Sequence, residues 1–149
     1  MRHRNFFLIL LLWLANTGLG FAADWQTDYA KALETAKAEN KRVLLDFTGS
    51  DWCGPCIQFM SQVLSRPEFL TYADKNLVLV EVDYPRRKKQ SAEVAKQNER
   101  LSRQYGIGEK GYPTVVLLDP AGKIIGEFTG FGGESPAEFI GWIERKTKR

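Results

Sequence analysis

The chain has 149 residues, 44% hydrophobic and 26% charged, with 21 basic against 18 acidic side chains. That length suits one domain with a sizeable core rather than two, and the composition gives no support to a disordered chain, a coiled coil or a repeat array. Arg2 and Arg4 supply two of the three surplus positive charges, so the rest of the chain is close to neutral and a nucleic-acid partner is not indicated.

In chain order, the first segment does not read as part of a domain. Arg2, His3 and Arg4 precede an apolar run from Phe6 to Ala15, and Gly20 and Ala22 sit three and one positions before a possible cut ahead of Ala23. This is the layout of a secretory signal peptide. The apolar run is short of the roughly 20 residues a spanning helix needs, and no cysteine near Ala22 could carry a lipid. Residues 1–22 are expected to be removed, leaving residues 23–149 as the domain; an uncleaved N-terminal anchor is the alternative. The expected address is the periplasm or the exterior, where disulfides form and persist.

From Asp24 to Asn40, Trp25, Tyr29, Ala32, Leu33 and Ala36 recur at helical spacing and predict an amphipathic helix. Val43 to Phe47 is an almost wholly apolar strand, as expected when both faces are covered. Cys53 to about Leu64 reads as a helix with Pro55 in its first turn, where proline's missing N–H costs nothing. Pro67 starts another short helix, and Asn76 to Tyr84 forms a strand. The polar stretch from Pro85 to Gln104 opens with Arg86, Arg87, Lys88 and Lys89, and its Val94 and Leu101 lie on one helical stripe. Thr114–Asp119 and Lys123–Thr129 are strands joined through Pro120, Ala121 and Gly122, a hairpin pattern. Ser135 then caps a closing helix. Strands alternating with helices, then a hairpin and a last helix, predict an α/β fold with a mixed sheet covered on both faces.

The chemistry concentrates in FTGSDWCGPC, residues 47–56, which holds the only two cysteines. A structural zinc site needs four ligands, but no third cysteine exists and the single histidine, His3, lies in the targeting segment; no metal is expected. Covalent haem would need histidine directly after Cys56, where Ile57 stands. A purely structural staple is possible, but closing a loop of about four residues is worth only roughly 2 kcal/mol. A redox pair has a clearer physical basis. With Cys53 at a helix start, unpaired backbone N–H groups and the helix dipole favour its thiolate. Cys56 lies one turn on, within disulfide reach. Cys53 is expected to be the exposed nucleophile and Cys56 the buried thiol that resolves the mixed disulfide.

WCGPC, residues 52–56, after a buried strand and before a helix, resembles the active site of thioredoxins. The resemblance extends over nearly all of residues 23–149 through VLLDF, VEVD ending at Asp83, YGI at Tyr105–Ile107 and GYPT at Gly111–Thr114. It implies a thioredoxin-like three-layer α/β/α sandwich and a redox-active Cys53–Cys56 disulfide in place of any cofactor. It also implies a cis Pro113 beside the dithiol, Tyr112 pairing its backbone with an extended substrate, and Trp52, Gly54 and Pro55 at the contact surface. Asp46, a carboxylate in an apolar strand, looks like the buried aspartate that moves the proton of the resolving cysteine; a satisfied core aspartate is the alternative. Asp46 precedes Cys53 by seven residues where thioredoxins usually show six, so a bulge must absorb the extra residue or Asp46 points elsewhere. Asp51 is expected to be an exposed loop acid. The segment 85–104 is longer than in small thioredoxins, and its four cations read as a solvated turn ahead of a dock for an acidic partner.

Glycine and proline between the cysteines is the pair of reducing thioredoxins, near −270 mV, whereas strongly oxidising relatives are near −120 mV. The resemblance therefore implies a monomeric reductase of disulfide-containing exported proteins, recharged by a membrane thiol-reductant system. An oxidase or isomerase, and a non-catalytic binding or chaperone-like module, remain as alternatives.

Overall fold

The structure, a computed structural model, describes residues 24–148. The segment read as a signal peptide lies outside these residues. Five strands form one sheet: β1 (Trp25–Gln26), β2 (Arg42–Thr48), β3 (Leu77–Asp83), β4 (Thr114–Leu118) and β5 (Ile124–Thr129), in the order β1-β3-β2-β4-β5. The first three run parallel, while β4 pairs antiparallel with both β2 and β5. β2 is thus the central strand, hydrogen-bonded on both edges.

Alternation along β2 sorts its side chains between two helical layers. Val43, Leu45 and Phe47 pack with Ala32 and Ala36 of α1 (Tyr29–Glu39) and with Leu101 and Tyr105 of α4 (Ala92–Tyr105). Leu44 faces the opposite way, toward Phe59 of α2 (Gly54–Phe59), Phe69 of α3 (Pro67–Asn76) and Phe139 of α6 (Pro136–Thr147). A one-turn helix, α5 (Ile107–Lys110), links α4 to β4. The result is the three-layer α/β/α sandwich with a mixed sheet that the sequence predicts.

Two local departures have physical causes. Trp25 does not belong to the first helix: it forms the edge strand β1, in register with Leu79. The periodic spacing runs on through it, but Asp28 adopts an extended cap conformation and accepts the Lys31 N–H, which starts the helix at Tyr29. The helix after the cysteines also changes pitch, since Met60–Leu64 is π-helical. Its end is closed by Ser65, whose N–H and hydroxyl both donate to the Met60 carbonyl. The closing helix α6 carries a full capping box between Ser135 and Glu138.

Phe139, fully buried, meets Phe59, Phe69, Phe128 and Trp142 with ring centroids 5.1 to 5.8 Å apart. Phe139→Ala is expected to cost about 3–5 kcal/mol in chemical denaturation, because the rings around it cannot collapse into the space. A loss below about 1 kcal/mol would show that the layer repacks freely.

Candidate active site

β2 ends at Thr48 and the chain turns sharply. The Gly49 carbonyl accepts the N–H groups of Trp52 and Cys53, at 3.2 and 2.9 Å. This turn takes up the extra residue after Asp46, so Asp46 keeps its place in the strand pattern. Cys53 is the N-cap of α2, with extended backbone, and Pro55 lies in the first turn. Cys53 and Cys56 form a disulfide, with Cα atoms 5.3 Å apart. The Cys56 N–H donates to Cys53 Sγ at 3.4 Å. Cys53 was expected to be exposed, yet it is only 6% accessible, against 2% for Cys56. The order of exposure agrees with expectation, but the turn and the helix start draw both sulfurs inward. Gly54 and Pro55 face solvent.

Trp52, half-buried, is fixed from several sides. Its Nε1 donates to the Tyr84 carbonyl at 2.7 Å, and its ring meets Tyr112 edge-on at 5.7 Å. The Arg86 guanidinium lies 3.8 Å over the indole, a cation–π stack. Gly49 lies against the same indole so closely that a Cβ there would come within 2.5 Å of it. The Tyr112–Pro113 peptide bond is cis and Pro113 is buried beside β4.

Asp51 corrects the sequence reading of a simple exposed acid. Its carboxylate accepts three successive backbone N–H groups, from Arg86, Arg87 and Lys88, at 2.7 to 2.9 Å. Those hydrogen bonds, first that from Arg86, hold its carboxyl down at about 2. The four cations from Arg86 to Lys89 keep exposed side chains, but the main chain beneath the first three is pinned against Trp52 and is not a free solvated turn. Asp83 secures the other side by accepting the Ser50 N–H and hydroxyl at 2.9 and 2.6 Å. Asn98 braces that corner from α4, donating to the Asp83 carbonyl while its own carbonyl accepts the Tyr84 hydroxyl. Gly49, Ser50, Asp83 and Asn98 were not singled out in the sequence. Ser50 and Asp83 follow or close adjacent strands, a signal available only once the pairing is known.

Asp46 lies on the face of β2 shared with Leu44, the face covered by α2. It is 2% accessible and its Oδ1 has no hydrogen-bond partner among the described residues. In the parallel register its neighbour is Glu81, and Thr48 faces Asp83. Burial, then the charges of Glu81 and Asp83, push the Asp46 carboxyl up to about 8. Glu81 is also raised, by burial and then by Asp83, with Lys88 opposing. A cavity of about 440 Å³ opens on this face, and its lining includes Thr48, Cys56, Met60, Glu81 and Lys88.

Comparison with known proteins agrees with this geometry. Residues 24–120 match the family model described as Thioredoxin-like. The chain is 36% identical over 124 residues to the disulfide bond reductase DsbH of Chlamydia pneumoniae, covering 83% of this chain and 72% of that protein. It is 34% identical over 111 residues to the thioredoxin-related protein DsbJ of the same organism, covering 74% of this chain but only 31% of that longer protein. A solved structure of a DsbH oxidoreductase superimposes with a TM-score of 0.78 at 35% identity, covering 87% of each chain.

Two outcomes follow from these contacts. In the unfolded chain an aspartate ionises near 4, whereas in the fold Asp46 holds its proton to about 8. Between those values the unfolded state binds fewer protons, so Asp46 subtracts stability increasingly as pH rises from about 4 to 8. Asp46→Asn is expected to stabilise the protein by roughly 2–4 kcal/mol more at pH 8 than at pH 5 in denaturant titrations; an equal effect at both would contradict the raised carboxyl. Asp51→Ala is expected to speed amide exchange of Arg86, Arg87 and Lys88 by roughly tenfold or more and to shift Trp52 emission, and unchanged exchange would show that the loop is held by other contacts.

Proposed function

The chain belongs to the thioredoxin-like family of thiol:disulfide oxidoreductases, and we propose that within it this protein works as a reductase of exported proteins. The observation that carries this reading is the Cys53–Cys56 disulfide with Gly54 and Pro55 between its sulfurs, capping α2 at the end of the central strand. Gly-Pro is the intervening pair of reducing thioredoxins, about 150 mV below the strongly oxidising ones, which is roughly 7 kcal/mol for two electrons. The similar Chlamydia protein is named a disulfide bond reductase, which supports the same direction.

In this reading the Cys53 thiolate attacks a substrate disulfide, forming a mixed disulfide and expelling one substrate thiolate. Asp46 in its ionised form takes the Cys56 proton, and the Cys56 thiolate attacks Cys53 Sγ. The Cys53–Cys56 bond forms, and the second substrate sulfur leaves as a thiolate that takes a proton from solvent. The substrate is reduced by two electrons and the cysteine pair is oxidised by two. Trp52, Gly54 and Pro55 form the contact surface around the sulfurs, and Tyr112 and Pro113 receive an extended substrate segment, as the family resemblance implies. The signal-like residues 1–22 support an address in the periplasm or outside the cell, with an uncleaved anchor as the other arrangement. A reductant kept in oxidising surroundings needs recharging, so a membrane system passing electrons from cytosolic thiols is its partner.

Equilibration with glutathione is expected to give a potential below about −230 mV; a value above about −200 mV would overturn the direction. Cys53→Ser should abolish insulin reduction, while Cys56→Ser, expressed with its leader, should retain exported proteins as mixed disulfides on Cys53. Normal cellular function of the double Cys53→Ser, Cys56→Ser variant would instead identify a binding module.

A further inference from the structure

Resolution of the mixed disulfide requires Cys56 to lose a proton deep in the fold, because Cys56 is 2% accessible. Asp46, its expected acceptor, is equally buried. A proton given to Asp46 must still reach water before the next cycle, and Asp46 is only 2% accessible. The structure provides one continuation. Glu81 is the register neighbour of Asp46 on β3, so their backbones are about 5 Å apart with side chains on the same face. Glu81 is half-buried and lines the cavity that also touches Cys56. The rim of that cavity carries Ile57 and Lys88, both exposed. The unpartnered Oδ1 of Asp46 leaves one acceptor position free for a shared proton.

We propose that Glu81 is the second carboxyl of a proton relay, pairing with Asp46 to hold the proton that leaves Cys56 and passing it to the mouth of the cavity. Glu81 acts through Asp46 and is therefore a positioning residue. The charged and titratable groups around Asp46 are Glu81 and Asp83 on β3, Cys56 on α2 and Lys88 on the following loop; its other strand neighbour, Val115, is apolar. Asp83 is occupied by Ser50 and Lys88 donates to Ser50 Oγ at 3.3 Å, so Glu81 is the group left to share the proton. Two adjacent carboxyls in such a site titrate as a pair, one keeping its proton while the other is ionised. Running the cycle backward, when the disulfide is reduced by its donor, the same pair returns a proton to the departing Cys56 sulfur.

The relay rests on the roles of Cys53 and Cys56 given above, and the test separates the two. Reduced protein is mixed with a model peptide disulfide in a stopped-flow instrument, where mixed-disulfide formation and peptide-thiol release appear as successive phases. In Glu81→Gln the release phase is expected to slow about threefold to tenfold, and the midpoint of its pH profile to move about one unit toward acid. The first phase, which does not use the relay, serves as reference. Glu81→Asp keeps the charge and should restore the wild-type midpoint. An unchanged midpoint and release rate in Glu81→Gln would overturn the relay even if the wild type is fully active. An oxidising potential would sink only the direction of electron flow, leaving the release phase and its midpoint to decide the relay. Should Glu81→Gln fail to fold, carbon-13 titration of the Asp46 carboxyl in reduced wild-type protein decides: a coupled, two-step curve supports the pairing, and a single transition in the ordinary carboxylate range overturns it.

Discussion

The arrangement of the whole site depends on β2, the central strand, which is hydrogen-bonded on each edge and covered on each face. From Val43 to Thr48 every residue is buried, so the strand cannot shift register without moving its apolar set out of two layers at once. Whatever follows it in the chain inherits that rigidity. The Gly49 turn starts one residue later and delivers Cys53 to the start of α2. The position of the disulfide is therefore a consequence of strand pairing rather than of loop chemistry.

Rigidity of the strand does not by itself hold the loops that surround the sulfurs, and here two carboxylates do the work of secondary structure. Asp51 gathers three backbone N–H groups of the 86–88 segment, and Asp83 takes the Ser50 N–H and hydroxyl. Each satisfies donors that would otherwise need water at the surface around the sulfurs. Trp52 is the common neighbour: its N–H is fixed by the Tyr84 carbonyl, and Arg86 stacks on its ring. The longer connection after β3 is thereby part of the active-site rim, with its main chain held at residues 86–88 and Arg86 stacked on Trp52.

Much of this was legible in the sequence. Apolar runs and turn residues predicted the layers and the β4–β5 hairpin, and WCGPC with GYPT predicted the disulfide, the cis Pro113 and the sandwich around them. What escaped was information carried by pairs distant in sequence. Asp51 and Arg86 are 35 positions apart, and nothing local distinguishes a clamping aspartate from a solvated one. Glu81 reads as one polar residue on an alternating strand until the parallel register sets it beside Asp46. Trp25 departs for a different reason: the helical period runs back through it, but the N-cap at Asp28 starts the helix only at Tyr29. The exposure of Cys53 was overstated because spacing gives the face of a helix and not the depth of its first turn.

A carboxyl pair in a buried sheet is costly, and the rest of the molecule shows how that cost is tolerated. Holding Asp46 up at about 8 means the fold opposes its ionisation at neutral pH. On the same face, the ring cluster of Phe59, Phe69, Phe128, Phe139 and Trp142 is largely buried, and each such ring contributes a few kcal/mol of burial. The α2–α3–α6 layer therefore combines a large apolar reserve with an unstable polar pocket. The separation matters for chemistry. Apolar packing lies under the later turns of the helix, while Thr48, Glu81 and Lys88 line the cavity that reaches Cys56. In the proposed relay, aromatic packing that reached Glu81 would close the path for the Cys56 proton. If the polar pocket extended to Phe59, the layer that orients the dithiol would loosen. The boundary between the two, at Cys56 and Met60, lies where the helix changes from α to π.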